Sequence, residues 1–190
     1  MISTLLLGAA VGGGAAFIWG AISWMMLPWH HSTFLKFTNE DAVAHALLDN
    51  CPAAGIYGFP APPKFEKGMT AEQRNAIEAE SAAQLKTGPL IMAIVQRTGY
   101  ESIGGKMISA LIIYALAALA MSWLLMHTTG LSLVERAAFV SVAGLAGSII
   151  CRVTDWNWHG YSTSYTVVSV ADVVIGWFLT GLAISAVVGR

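Results

Sequence analysis

Met107–Met126 reads MISALIIYALAALAMSWLLM and contains no charged residue. A helix rises about 1.5 Å per residue, so about 20 residues cross a hydrocarbon core about 30 Å thick. Outward from this stretch, Ile2–Leu27 (ISTLLLGAAVGGGAAFIWGAISWMML) is equally free of charge. Leu131–Val153 is apolar apart from Glu135 and Arg136 near one end and Arg152 near the other, and Tyr165–Val188 carries one acid, Asp172. One apolar run thus precedes a polar insertion and three follow it. The pattern predicts an all-α membrane protein with four transmembrane helices and a small α/β extramembrane insertion between helices 1 and 2. The expected division is transmembrane helix 1 over 1–28, an extracytoplasmic insertion over 29–106, and helices 2 to 4 over 107–190.

Composition points the same way. The chain is 56% hydrophobic and 11% charged, against about 25% charged in an ordinary soluble domain. Its formal net charge of −1 gives no global field for nucleic acid or anionic lipid. No repeat or long low-complexity tract is evident, and 190 residues are too few for a typical transporter built on internal repeats, unless several copies assemble. Met1-Ile2-Ser3-Thr4 lacks the basic start of a secretory signal, and the first run exceeds a signal core in length. It is expected to remain as a membrane helix.

Four passes place both termini on one side. The connections are then Pro28–Lys106, His127–Gly130 and Thr154–Ser164. Long domains cross largely regardless of charge, so the short flanks decide orientation. Arg136 lies beside the second connection and Arg190 ends the chain, whereas Thr154–Ser164 has no Lys or Arg, though Arg152 lies just before it. The expected arrangement is a bacterial inner membrane with both termini cytoplasmic.

The first run carries small residues four apart: Gly8 and Gly12, Ala9 and Gly13, Ala10 and Gly14, Ala16 and Gly20. The third has Ala143 and Gly147, and Gly144 and Ser148. Such spacing lets helix backbones approach closely in lipid. Packing within the monomer is the simpler reading, ahead of a subunit interface. Gly12-Gly13-Gly14 is no nucleotide loop, since no strand precedes it and no phosphate-binding lysine follows. An acid at a helix centre costs about 2.5–3.5 kcal/mol on insertion scales, so Asp172 calls for a partner or a wet cavity. Arg152 is the partner expected from the sequence, and a structural pair or a protonated, hydrogen-bonded acid outweighs an ion pathway.

Within the insertion, Thr38-Asn39-Glu40-Asp41 offers cap oxygens and early acids ahead of Val43, Leu47 and Leu48, predicting a helix that ends near Asn50-Cys51-Pro52. Ala54–Pro60 predicts a short strand, and Ala61-Pro62-Pro63 an extended link. Thr70-Ala71-Glu72-Gln73 is a capping box opening a helix to about Leu85. Pro89–Val95 is expected to pair with Ile56–Phe59.

The chain resembles an uncharacterised group of small bacterial inner-membrane proteins with four helices. The resemblance rests on Trp24-Met25-Met26-Leu27-Pro28, Asn39-Glu40-Asp41-Ala42-Val43, Gly55-Ile56-Tyr57 with Pro60, and Gly88-Pro89. It continues through Trp156-Asn157-Trp158-His159-Gly160-Tyr161 to Thr166, then Asp172 and Gly176-Trp177-Phe178-Leu179. The group tends to carry an aromatic where this chain has His159. The resemblance implies an architecture and no particular mechanism.

Candidate chemistry is sparse. His30, His31, Asp155 and His159 are expected near one level and are the candidate ligands for a Zn or Cu site. Trp29, Trp156, Trp158, Tyr161 and Tyr165 crowd the same level, and an interfacial aromatic belt is the simpler account of it. No Gly-x-Ser-x-Gly elbow occurs, Cys51 lacks a catalytic signature, and Cys151 lies in an apolar helix. Whether the two cysteines pair is left open by sequence. Glu72, Glu78 and Glu80 read as solvated charge, and the scattered bases exclude a nucleic-acid site. The expectation is a non-enzymatic accessory or scaffolding protein without a cofactor. It would pack in the lipid bilayer against a partner membrane complex, such as a respiratory or photosynthetic one, or against itself. The alternative is a small-molecule, ion or metal-handling protein using Asp172 and the outer His/Asp cluster.

Overall fold

The structure, a computed structural model, describes residues 1–99 and 102–188. Its elements in order are α1 (Ile2–Met25), α2 (Glu40–Asn50), β1 (Gly55–Phe59), α3 (Ala71–Thr87), β2 (Ile91–Val95), α4 (Ile103–Met126), α5 (Leu133–Ser148), α6 (Thr154–His159) and α7 (Thr163–Val187). A π-helical turn at Ile149–Val153 joins α5 to α6, so Leu133–His159 forms one rod of 27 residues. This rod, α1, α4 and α7 are four helices long and apolar enough to cross a membrane. They fit a multi-pass membrane protein. Arg190, used above as a flanking charge, lies outside the described residues.

The chain forms two compact units, Met1–Leu35 with Glu101–Arg190, and Lys36–Tyr100. The second unit is narrower than 29–106 at both ends. The turn after α1 belongs to the helical unit, and α4 already starts at Ile103. Ser102 caps α4 by accepting from the Gly105 N–H.

In the helical unit α1 packs against α4 and α7, and α7 packs against α5. Ala118, Leu125, Val140, Ile184 and Val188 form its buried apolar cluster, toward the end where α1 begins and α7 finishes. Small residues permit these approaches. A Cβ on Gly13 would lie 2.7 Å from Ala115 Cα, and one on Gly181 2.8 Å from Ala137 Cα. Gly14 and Gly147 face open space, so only part of each small-residue stripe is a helix contact. Arg136, 7% exposed in the first part of α5, donates to the Val188 carbonyl at the end of α7. A cation there satisfies an orphan carbonyl and opposes the negative end of the helix dipole.

In the Lys36–Tyr100 unit, Asn39 caps α2 through the Ala42 N–H. Thr70 and Gln73 form the expected capping box of α3. β1 and β2 are antiparallel, with Gly55 opposite Val95 and Phe59 opposite Ile91. Arg97 donates to the Leu48 carbonyl at 2.7 Å and to the Cys51 carbonyl, closing the end of α2. Cys51 and Val95 are its buried apolar residues. So thin a core suits a unit of this size.

Candidate functional site

Asp172 lies nine residues into α7, about 14 Å along the helix at 1.5 Å per residue. The facing part of α1 presents Trp19 and Ser23, one turn apart on the same side. Trp19 donates from Nε1 to Asp172 Oδ1 at 2.7 Å and to the Asp172 carbonyl at 3.2 Å. Ser23 Oγ donates to the same Oδ1 at 2.7 Å. Beyond Met25 the chain folds back through Pro28, held by Ser32 N–H to the Pro28 carbonyl and Thr33 N–H to the His30 carbonyl, both at 3.0 Å. This turn inserts His30, 1% exposed, so that its Nε2 sits 3.3 Å from Asp172 Oδ2 and 3.0 Å from Ser23 Oγ. Trp24 stacks on the His30 ring at 3.9 Å, and Trp29 meets it edge-on.

Donor counting sets the histidine tautomer. Ser23 has one hydroxyl hydrogen, committed to Asp172, and its oxygen accepts from Trp29 Nε1 at 3.0 Å. His30 Nε2 must then carry the hydrogen that meets Ser23 and Asp172. Nδ1 is buried without a partner, and a proton there would be a buried donor with no acceptor. The arrangement is not a catalytic triad. Serine and acid meet the same ring nitrogen, whereas a triad places them on opposite ones.

Asp172 opens onto a cavity of about 70 Å³ whose walls include Trp19, Gly20, Tyr114, Trp177 and Thr180. That is room for several waters or one small solute, at about 10–15 Å³ of such space per water. Glycines seat each aromatic wall. A Cβ on Gly176 would lie 2.6 Å from Trp19 Cδ1, one on Gly144 2.6 Å from Trp177 Cδ1, and one on Gly20 3.1 Å from the Tyr114 hydroxyl. Thr180 is fully buried and its hydroxyl is unpartnered. Gly20 and Tyr114 also line a second cleft of about 380 Å³ between α1 and α4, with Phe17, Trp24, Met25 and Met107. The two spaces share one wall.

No family model matches the chain, and no curated protein or solved structure matches it. Its chemistry is therefore read from its own geometry.

The expected outer cluster is divided in the structure. His30 turns inward to Asp172, while the exposed His31 bonds through Nε2 to the Trp24 carbonyl at 3.0 Å. Asp155 and His159 pair with each other at 3.0 Å, one turn apart on α6. Among the described residues no group of three or more His, Cys, Asp or Glu is placed to hold a metal ion. Arg152 is also displaced from its expected role, because among the described residues Asp172 lies 3.3 Å from His30 and forms no ion pair with Arg152. The folded-back turn supplies the nearer partner. Of the aromatic belt, Trp29 joins the buried network, Trp156 donates to Thr163 Oγ1 at 3.1 Å, and Trp158 is 75% exposed. Cys51 and Cys151 are both free thiols. Sequence reading missed Trp19, Ser23, Tyr114, Trp177 and Thr180. Its available signal was the spacing of Trp19 and Ser23, a polar pair on one face of an otherwise apolar helix.

Proposed function

We propose that this chain is a non-enzymatic integral membrane protein that binds and handles a small solute or ion at Asp172. The observation that carries this reading is the cavity beside the carboxyl group. An acid inside a membrane bundle normally faces a partner or a wet space, and Asp172, with its side chain 16% exposed, has both. The network differs from a hydrolytic triad, since Ser23 and Asp172 meet the same nitrogen of His30. A bacterial inner membrane, cytoplasmic termini and kinship with the four-helix group belong to the same proposal. Their support is the flanking charge pattern and the quoted motifs.

The test is thermal unfolding of the purified protein in detergent against ammonium, alkali-metal, carboxylate and sugar solutes. A ligand that binds the native state raises Tm by mass action. At least one class is expected to stabilise the native chain and not Asp172→Asn. A flat response to every class overturns the reading.

A second reading, an accessory or scaffolding role against a membrane partner or a second copy, is favoured by one observation. Trp158 and Trp156 are exposed at the end of the third span, and large aromatics tend to dominate interface energetics.

A further inference from the structure

We propose that the Asp172 cavity is a site for a small organic ammonium cation, reached from the α1/α4 cleft past Tyr114. This rests on the solute-binding reading above and names the ligand class. Three features of the cavity select it.

The first is charge. Asp172 Oδ1 is occupied by Trp19 and Ser23, whereas among the described residues Oδ2 meets only His30, at 3.3 Å. A carboxylate oxygen accepts more than one donor, so Oδ2 retains capacity. With His30 as the Nε2–H tautomer, it offers Asp172 a hydrogen bond and no full counter-charge. Among the described residues no Lys or Arg forms an ion pair with this acid.

The second is the wall chemistry. Trp19, Tyr114 and Trp177 are among the residues that line the space. Aromatic faces carry negative quadrupole charge and attract cations, and quaternary ammonium groups are recognised by such cages. An alkali-metal ion needs several oxygen ligands, and the cavity offers few. An N-methyl group needs the apolar contact that Ala16, Val173 and the indole rings provide. Close approach at Gly176 and Gly144 seats the Trp19 and Trp177 indoles, so that part of the wall is preorganised.

The third is an unfilled polar atom. The Thr180 hydroxyl is buried and, among the described residues, unpartnered, on a residue that lines the cavity. An unmade buried hydrogen bond is unfavourable. An N–H of a primary or partly methylated ammonium would fill it. The route follows from the shared wall. Gly20 and Tyr114 line both spaces, and among the described residues no hydrogen bond ties the Tyr114 hydroxyl down. Rotation of that side chain would join the cleft to the cavity.

Equilibrium binding to the purified full chain in detergent, at constant ionic strength, tests this with tetramethylammonium, methylammonium, and tert-butanol as a neutral shape analogue. Saturable binding of at least one ammonium ion is expected, with tert-butanol at least tenfold weaker. Asp172→Asn should weaken ammonium binding at least tenfold. Tyr114→Leu, which leaves no hydrogen-bond partner behind, should weaken it at least threefold without changing tert-butanol binding, and it serves if the Asn variant does not fold. The inference is overturned if tert-butanol binds as tightly as the cations, or if neither variant changes cation affinity. Binding of neutral or anionic solutes alone would sink the ammonium assignment and leave the solute-binding reading standing. Saturation by no solute of any class would remove both.

Discussion

His30 Nε2 lies 3.3 Å from Asp172 Oδ2, joining a turn that follows the first span to the middle of the last. Removal of the acid should therefore be felt across both helices. Asp172→Leu leaves the Trp19 indole N–H, the Ser23 hydroxyl and the His30 ring without their acceptor. A loss on the order of 3 kcal/mol is expected, in line with breaking a buried pair from one side. Asp172→Asn keeps an oxygen for Trp19 and should lose less. Denaturant or thermal melts in detergent compare them. Equal stability of the Leu variant and the native chain would show that the network contributes nothing to the fold.

Gly176→Ala tests how tightly the cavity wall is seated. Its new methyl would sit 2.6 Å from Trp19 Cδ1, and Trp19 is held by Asp172. Overpacking of this kind costs about 1–3 kcal/mol. Gly14→Ala, where nothing lies within 4 Å, should be neutral or slightly stabilising. In a Trp19→Ala background the Gly176→Ala penalty should largely vanish. A penalty that persists there would place the strain elsewhere.

Much of this architecture was legible because lipid imposes length. Four uncharged or nearly uncharged runs became four long helices, and the Thr70 cap formed its reciprocal box with Gln73. Asp172 stood out for the cost of an acid in an apolar helix. Its partner did not, because sequence cannot say which helices face each other. Arg152 was chosen by depth along the chain. His30 arrived through the Pro28-Trp29-His30 turn, whose backbone hydrogen bonds leave no sequence period. Gly176 and Gly181 were similarly hidden, since their role appears only once Trp19 and Ala137 are opposite them.

Arg136→Ala should destabilise the bundle by about 1.5–3 kcal/mol, the range for a hydrogen bond from a charged donor. The guanidinium serves the Val188 carbonyl from a nearly buried position. Arg136→Lys should recover only part of the loss, because the planar fork is replaced by a point charge. Full stability in Arg136→Ala would mean that water replaces the contact. This structural role also means that Arg136 carries less topological information than a purely flanking charge.

Orientation needs its own measurement. With Cys51 and Cys151 replaced, single cysteines at Ser164 and Gln84 should react with an impermeant thiol reagent in intact cells, and one at Thr129 should not. The absence of Lys and Arg from Thr154–Ser164 motivates this expectation. The opposite labelling pattern would invert the protein in its membrane.

The exposed end of the third span separates partner binding from metal binding. Trp158 is mostly exposed, and Asp155 and His159 form an isolated pair beside it on α6. If this surface docks a membrane partner or a second copy, Trp158→Ala and Trp156→Ala should lower the assembled mass measured in mild detergent. His31→Ala and His159→Ala should leave that mass unchanged. His30→Ala should instead lower thermal stability, because it withdraws a ring that contacts Ser23, Asp172 and Trp24. A metal site predicts a different pattern. One Zn or Cu per native chain would be lost on changing His159, with affinity falling in acid as imidazole protonates. Two ligands one turn apart hold such an ion weakly, since structural zinc takes four and catalytic zinc three from protein. Stoichiometric metal that depends on both His159 and His31 would therefore require those residues to converge, which the structure does not show. Unchanged mass in both tryptophan variants would leave α6 with the role of an interfacial anchor alone.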